Sequence, residues 1–430
     1  MKNSITYLDK AIYFSLIFII STVPLSFKIS NLGIIALALF WIIKKIVAKE
    51  SIKSFKTKDG YNWMTIAFFS LFFWQAISLL YTSNLKVGFT NLESKLSFII
   101  FPLILGDLTF KREQLISLVK YFIYSIAICN IFLISLSIIH YFQEGTFLIY
   151  HDFTEVLGFH AVFYSYCLYL SVLFIYFLFN RISNSIIEIA LMTVSTVLAF
   201  AALVISASKN VLVVTILSIV SLAVFNLIKG RIKKKQLIAS FGILLVCVIT
   251  FSQSPVIKNR ISELTQLSGI ENLEKIKSGE VLTHEDRILF NGTSLRVVFW
   301  YLGFKKLNDN NRFVLGLSSG DRKDVMNEEF NKNGLNPAYK DYNLHNQYIQ
   351  TFVELGLIGL LLYMGLNFVF FKIALADKNY ILLLFMIAFT IFQMTESVLE
   401  RNKGIVFFVF FLLFIQKLSL NPNEDRNIRN

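Results

Sequence analysis

The pentapeptide Ser206-Ala207-Ser208-Lys209-Asn210 interrupts an apolar run covering residues 185–228. That run is 44 residues long, about twice the ~20 residues that one helix needs to cross the hydrocarbon of a bilayer. The polar turn must therefore divide it into two spans. The division also decides on which side of a membrane every later loop lies.

The rest of the chain reads the same way. Of its 430 residues, 55% are hydrophobic and only 16% charged, whereas soluble domains carry about 25% charged and 45–50% apolar residues. A string of soluble domains is excluded, and an all-α polytopic membrane protein is expected. About twelve apolar segments are long enough to be transmembrane helices: 11–27, 29–47, 61–81, 92–108, 115–140, 156–180, 185–206, 210–228, 236–252, 347–372, 380–395 and 404–417. They arrange as an N-terminal bundle of about nine helices (1–252), one large loop (253–346), about three C-terminal helices (347–418) and a tail (419–430). Lys2 and Lys10 precede the first span without a small-residue cleavage pattern, so an uncleaved first helix is expected. The 44 Phe and 18 Tyr suit lipid contact and interfacial belts. Cys129, Cys167 and Cys247 lie in apolar runs without paired spacing, as lipid-buried small residues rather than disulfide or zinc partners.

The net charge of +13 could signal nucleic acid, anionic lipid or membrane orientation. With the N-terminus inside, the cytoplasmic segments hold 22 Lys+Arg against 9 Asp+Glu, the short outer loops 6 against 7, and the large loop 13 against 12. The basicity is thus an orientation signal that places both termini in the cytoplasm, and no nucleic-acid partner is implied. The large loop faces the opposite side. Its apolar punctuation at 260–276 and 295–307 predicts a small, mainly helical cap. Neither a phosphate-binding Gly-rich loop nor a nucleophile elbow nor a metal-ligand pair occurs in the sequence, so no ATP, metal or cofactor is expected.

Few residues can carry chemistry. His345 stands where the large loop returns to the membrane, as a proton-exchanging group in a partly dehydrated place or as an interfacial helix-cap histidine. Gly356 and Gly359 are spaced for close helix packing. Arg296, with Trp300 one turn on to shelter it, could fork onto phosphate oxygens or pair with a loop carboxylate. Lys209 is an ionisable residue at the edge of an apolar run, functional or merely snorkelling. The last outer loop, 395–404, brings Glu396 and Glu400 near Arg401 and Lys403, as a polar ligand site or as self-paired charges. His140, His151 and His160, with Asp152 and Glu155, match no metal spacing and read as a solvated loop.

The span series, the large loop, the segment from Arg296 to Trp300, the run His345-Asn346-x-Tyr348-x-Gln350 and the following Glu354-x-Gly356-x-x-Gly359 together resemble the O-antigen ligase and O-antigen polymerase family. The likeness covers most of the chain in architecture and is specific over residues 295–361. The resemblance implies a glycosyltransferase that takes a glycan from undecaprenyl diphosphate at the periplasmic face of the bacterial inner membrane. Its acceptor is lipid A core in a ligase and another lipid-linked repeat unit in a polymerase. It further implies that His345 activates the acceptor hydroxyl and that Arg296 holds the diphosphate. Lys209 stands where the family usually has Arg in a Ser-Arg-Gly-like turn, keeping the charge but losing the bidentate fork. Asn346, Tyr348, Glu396 and Arg401 are candidate substrate contacts. A transporter of about twelve spans is the competing class, but it would show repeated halves and midplane polar or broken helices, whereas these candidates gather on the outer face. A scaffold that docks partners on its outer loop leaves Lys209 unexplained.

Overall fold

The computed structural model describes residues 2–57, 60–179, 186–206, 208–228, 269–278 and 292–418. The first half is a series of helices: α1 (Lys2–Thr22), α2 (Phe27–Ala48), α3 (Trp63–Ser78), α4 (Leu85–Ser94), α5 (Ser97–Asp107), α6 (Arg112–Glu144), the short α7 (His151–Glu155), α8 (Ala161–Phe179), α9 (Ile186–Ile205) and α10 (Lys209–Ile228). Between α2 and α3 a two-residue β-ribbon pairs Lys56 with Tyr61 and Thr57 with Gly60. Three helices follow between the bundle halves: α11 (Gly269–Lys277), α12 (Thr293–Asp309) and α13 (Arg322–Lys332). The chain returns through α14 (Gln347–Ala376), α15 (Tyr380–Gln393) and α16 (Asn402–Lys417).

Among the described residues, nine helical segments are long and apolar enough to cross a membrane, and α15 is a shorter apolar helix. The expected span at 236–252 and the tail at 419–430 lie outside the described residues. The expected division of the 185–228 run is observed, with α9 ending at Ile205 and α10 starting at Lys209.

α16 is the hub. Every residue from Gly404 to Gln416 is buried, as expected of a helix that is apolar all round. Its phenylalanines meet rings from five other helices: Phe408 stacks on Phe389 of α15 at 4.4 Å and lies 6.3 Å from Phe68 of α3, Phe410 meets Phe101 of α5 at 5.3 Å, Phe411 meets Phe122 of α6 at 5.0 Å, and Phe414 meets Phe174 of α8 at 6.0 Å. These rings pack against protein, while others such as Phe14, Phe73, Phe142 and Phe368 stay exposed on the bundle surface. Cys129 and Cys167 are enclosed within the bundle, and Cys247 lies outside the described residues.

The intervening helices form a cap with its own apolar cluster, in which Leu295, Val298, Phe299 and Leu302 of α12 meet Met326 and Phe330 of α13 and Leu344 beyond them. The cap engages the bundle through a break in α14. Gly356 has φ 69° and ψ −169°, a conformation open to glycine. The segment 312–318 crosses this break as a backbone strap: Leu317 N–H donates to Val353 O (2.9 Å), Ser318 N–H to Glu354 O (3.0 Å), and Leu357 N–H to Phe313 O (2.8 Å), while Trp74 Nε1–H donates to Leu355 O (2.9 Å). A Cβ on Gly356 would lie 2.2 Å from Val314 O, and one on Gly316 would lie 2.4 Å from Gly356 N. Gly356 is therefore a crossing point of two backbones and not the helix-packing contact expected from its spacing. Gly359 fits the expectation better, facing the Trp74 ring and the Leu355 side chain.

Candidate functional site

α12 presents Arg296 and Trp300 on one face, one turn apart. Trp300 Nε1–H donates to Leu344 O at 2.6 Å. It thus holds the turn that carries His345, where the sequence suggested a shelter for Arg296. The neighbouring motif residues build the same turn. Asn343 Oδ1 accepts from His345 N–H (2.9 Å), and Gln350 Oε1 accepts from Leu344 N–H (3.1 Å). Asn346 caps α14, with Oδ1 accepting from Tyr348 N–H (3.0 Å) and Ile349 N–H (3.1 Å), while its Nδ2 donates to Met394 O (3.1 Å). The Tyr348 ring packs 5.6 Å from that of Tyr363. His345 itself adopts φ 47°, a left-handed backbone that costs a non-glycine residue free energy and is common at functional turns.

Arg296 and His345 meet on one carboxylate. Glu396 Oε1 lies 3.5 Å from Arg296 Nη2, and Glu396 Oε2 lies 3.3 Å from His345 Nδ1. Burial pushes the Glu396 carboxyl up, but the hydrogen bond and charge of His345, then Arg296 and His160, outweigh it and hold its pKa below the ordinary 4.5. The Lys209 turn adjoins the same loop, because Asn210 Nδ2 donates to Thr395 Oγ1 at 2.9 Å. The backbone of Lys209 heads α10 there, and its side chain lies outside the described residues.

His160 borders this group, its ring 4.1 Å from that of His151. Crowding by protein, then His151, Arg401 and His345 against the opposing pull of Glu396, bring its pKa down to about 4. His160 is therefore neutral at pH 7; its side chain stays exposed, and the His140 ring meets the Thr146 backbone. Arg401 stands exposed ahead of α16.

Beneath the His345 turn lies a second, buried set of charges. Arg322, only 1% exposed, donates from Nη2 to Glu400 Oε1 at 2.5 Å, and its Nε lies 3.8 Å from Glu354 Oε2. Lys323 reaches Glu400 and Lys95 reaches Glu354, each at 3.4 Å. Gln350 Nε2 donates to Glu400 Oε2 (2.9 Å), which ties this network to the His345 turn. Burial raises the Glu400 pKa, but Arg322, Lys323 and Lys95 more than offset it and hold it below the ordinary 4.5. Gln75, Lys95, Gln347, Gln350, Glu354 and Glu400 line a cavity of about 20 Å³ beside it, large enough for a single water.

Of these inner residues, the sequence pointed to Glu400 as a loop charge and to Gln350 and Glu354 as motif positions, but not to Arg322, Lys323 or Lys95. Lys95 could have been flagged, since it is an ionisable residue within a candidate span. Arg322 offered no such signal among the balanced charges of the large loop. Among known families, the model described as O-antigen ligase matches residues 194–364, and no curated protein matches the chain. The matched segment contains the Lys209 turn, Arg296, the strap at 312–318 and the His345 turn, while Glu396 and Glu400 lie beyond it. Over residues 194–364 the chain is thus similar to the O-antigen ligase family, in agreement with the resemblance carried by the Arg296 and His345 segments.

Proposed function

We propose that the protein is an O-antigen ligase-like glycosyltransferase of the bacterial inner membrane, moving a glycan from undecaprenyl diphosphate to a sugar hydroxyl of lipid A core at the periplasmic face. The observation that carries this reading is the meeting of Arg296 and His345 on the two oxygens of one carboxylate. A cation for the leaving diphosphate and a base for the attacking hydroxyl are thereby within one reaction's reach. The large loop and the last outer loop face the periplasm in this reading, with both termini cytoplasmic, as the charge bias of the short loops favours.

In the reaction, His345 takes the proton of the acceptor hydroxyl as that oxygen attacks the anomeric carbon. The bond from that carbon to the diphosphate breaks, and the leaving electron pair is stabilised by Arg296 and Lys209 in a partly dehydrated site. Direct displacement inverts the anomeric centre and needs neither ATP nor a metal. The gathering of charged groups at the cap end of the bundle favours transfer chemistry over the transporter class. Deletion of the gene, read by lipopolysaccharide electrophoresis, tests the assignment. A ligase leaves lipid A core bare while polymer accumulates on undecaprenyl diphosphate. A single capped repeat instead identifies a polymerase that joins lipid-linked repeat units, and an unchanged ladder refutes both.

A further inference from the structure

We propose that Glu396 is the positioning residue for His345, and that its simultaneous hold on Arg296 couples donor binding to activation of this base. The inference rests on the glycosyl transfer proposed above. An imidazole can serve as base through Nε2 only when Nδ1 carries the proton, and a carboxylate at Nδ1 fixes that tautomer and steadies the imidazolium formed in the reaction. Glu396 Oε2 stands at Nδ1, 3.3 Å away, leaving Nε2 for the acceptor. Among the described residues the ion pair of His345 is with Glu396 alone.

The carboxylate is itself anchored. Its loop is tied to the His345 turn through Asn346 and Met394 O, and to the α10 start through Asn210 and Thr395. It is closed at the other end by Gly404, where a Cβ would lie 1.9 Å from Val398 O. The other oxygen holds Arg296 at 3.5 Å. A diphosphate offers that guanidinium a bidentate, more highly charged partner. Donor binding would therefore draw Arg296 off Glu396 and leave the carboxylate's charge to His345. The acceptor proton then rests on the imidazolium, balanced by Glu396, while the diphosphate leaves with the electron pair of the broken bond. The other titratable groups facing this pair are Tyr342 on the same turn and His160 ahead of α8, which itself feels His151 and Arg401.

The test uses the full chain in nanodiscs with undecaprenyl diphosphate glycan and acceptor, comparing Glu396→Gln, Glu396→Asp and His345→Ala. Glu396→Gln is expected to lower kcat by about 10²-fold or more, to leave donor KM unchanged or lower because Arg296 loses its competitor, and to move the acid limb of the kcat profile to lower pH. Glu396→Asp recovers part of the rate. Nitrogen-15 spectra of wild-type histidines give a readout without any variant: His345 should carry its proton on Nδ1, and a proton on Nε2 overturns the inference. Wild-type kcat and pH profile in Glu396→Gln overturn it as well, as does a raised donor KM with unchanged kcat. If His345→Ala turns over normally, the base assignment itself fails. If His345→Ala is inactive and Glu396→Gln is normal, only the role given to Glu396 fails.

Discussion

Replacing Arg322 by Ala tests whether the buried charges beneath the His345 turn hold the cap to the bundle. The side chain is 1% exposed and reaches two carboxylates, Glu400 at 2.5 Å and Glu354 at 3.8 Å. Removing one partner of a buried ion pair typically costs about 3–5 kcal/mol, because the other charge is left unpaired in a poor solvent. Here Glu400 keeps Lys323 and Gln350, and Glu354 keeps Lys95 and Gln75. The cost should then fall near the lower bound, about 3 kcal/mol. Equilibrium unfolding in mixed micelles of increasing SDS fraction measures it, and a double-mutant cycle with Glu400→Leu isolates the coupling. The pH dependence follows from the lowered pKa of Glu400. A carboxylate depressed in the folded state contributes its stability above the unfolded value and loses it as pH falls through the folded value. Wild-type stability should thus be level above pH 4.5 and decline in stronger acid, with a smaller decline in Arg322→Ala, because the folded value moves back toward the unfolded one. A loss below about 0.5 kcal/mol, with an unchanged pH course, would refute the reasoning.

Gly356→Ala would combine a left-handed backbone with a Cβ 2.2 Å from Val314 O, so a loss of about 3 kcal/mol or more is expected in the same titration. Trp300→Phe keeps the apolar ring but leaves Leu344 O without its donor. It should lower kcat about tenfold, the equivalent of 1.4 kcal/mol, with little change in donor KM. Lys209→Arg should retain glycan transfer and Lys209→Ala should lose most of it. Equal transfer by both variants and the wild type would make Lys209 a snorkelling residue.

The legible parts of this molecule were those that rest on local chemistry. The Ser206 to Asn210 turn divides a run too long for one helix, and the helices end and restart there. His345 and Glu396 were visible as ionisable residues at the edges of spans and Arg296 as a cation of the large loop, and folding brings all three to one place. The parts hidden from sequence are those made by distant backbone. The φ of Gly356 depends on a strap some forty residues earlier in the chain, at 312–318, which no spacing rule reveals. Phenylalanines of α16 look the same whether they face lipid or other rings, and only the assembled bundle surrounds them. Arg322 is charged like its loop neighbours, but its burial follows from the strap that presses it between Glu354 and Glu400.

The central claim is that His345 is the base for transfer of a glycan out of undecaprenyl diphosphate. Its most direct test is release of undecaprenyl diphosphate by purified wild-type and His345→Ala protein, each in nanodiscs with donor and acceptor. The account predicts acceptor-dependent release by the wild type and a rate lower by about 10²–10⁴-fold in the variant, with both proteins equally stable to SDS. Release by His345→Ala at the wild-type rate contradicts it.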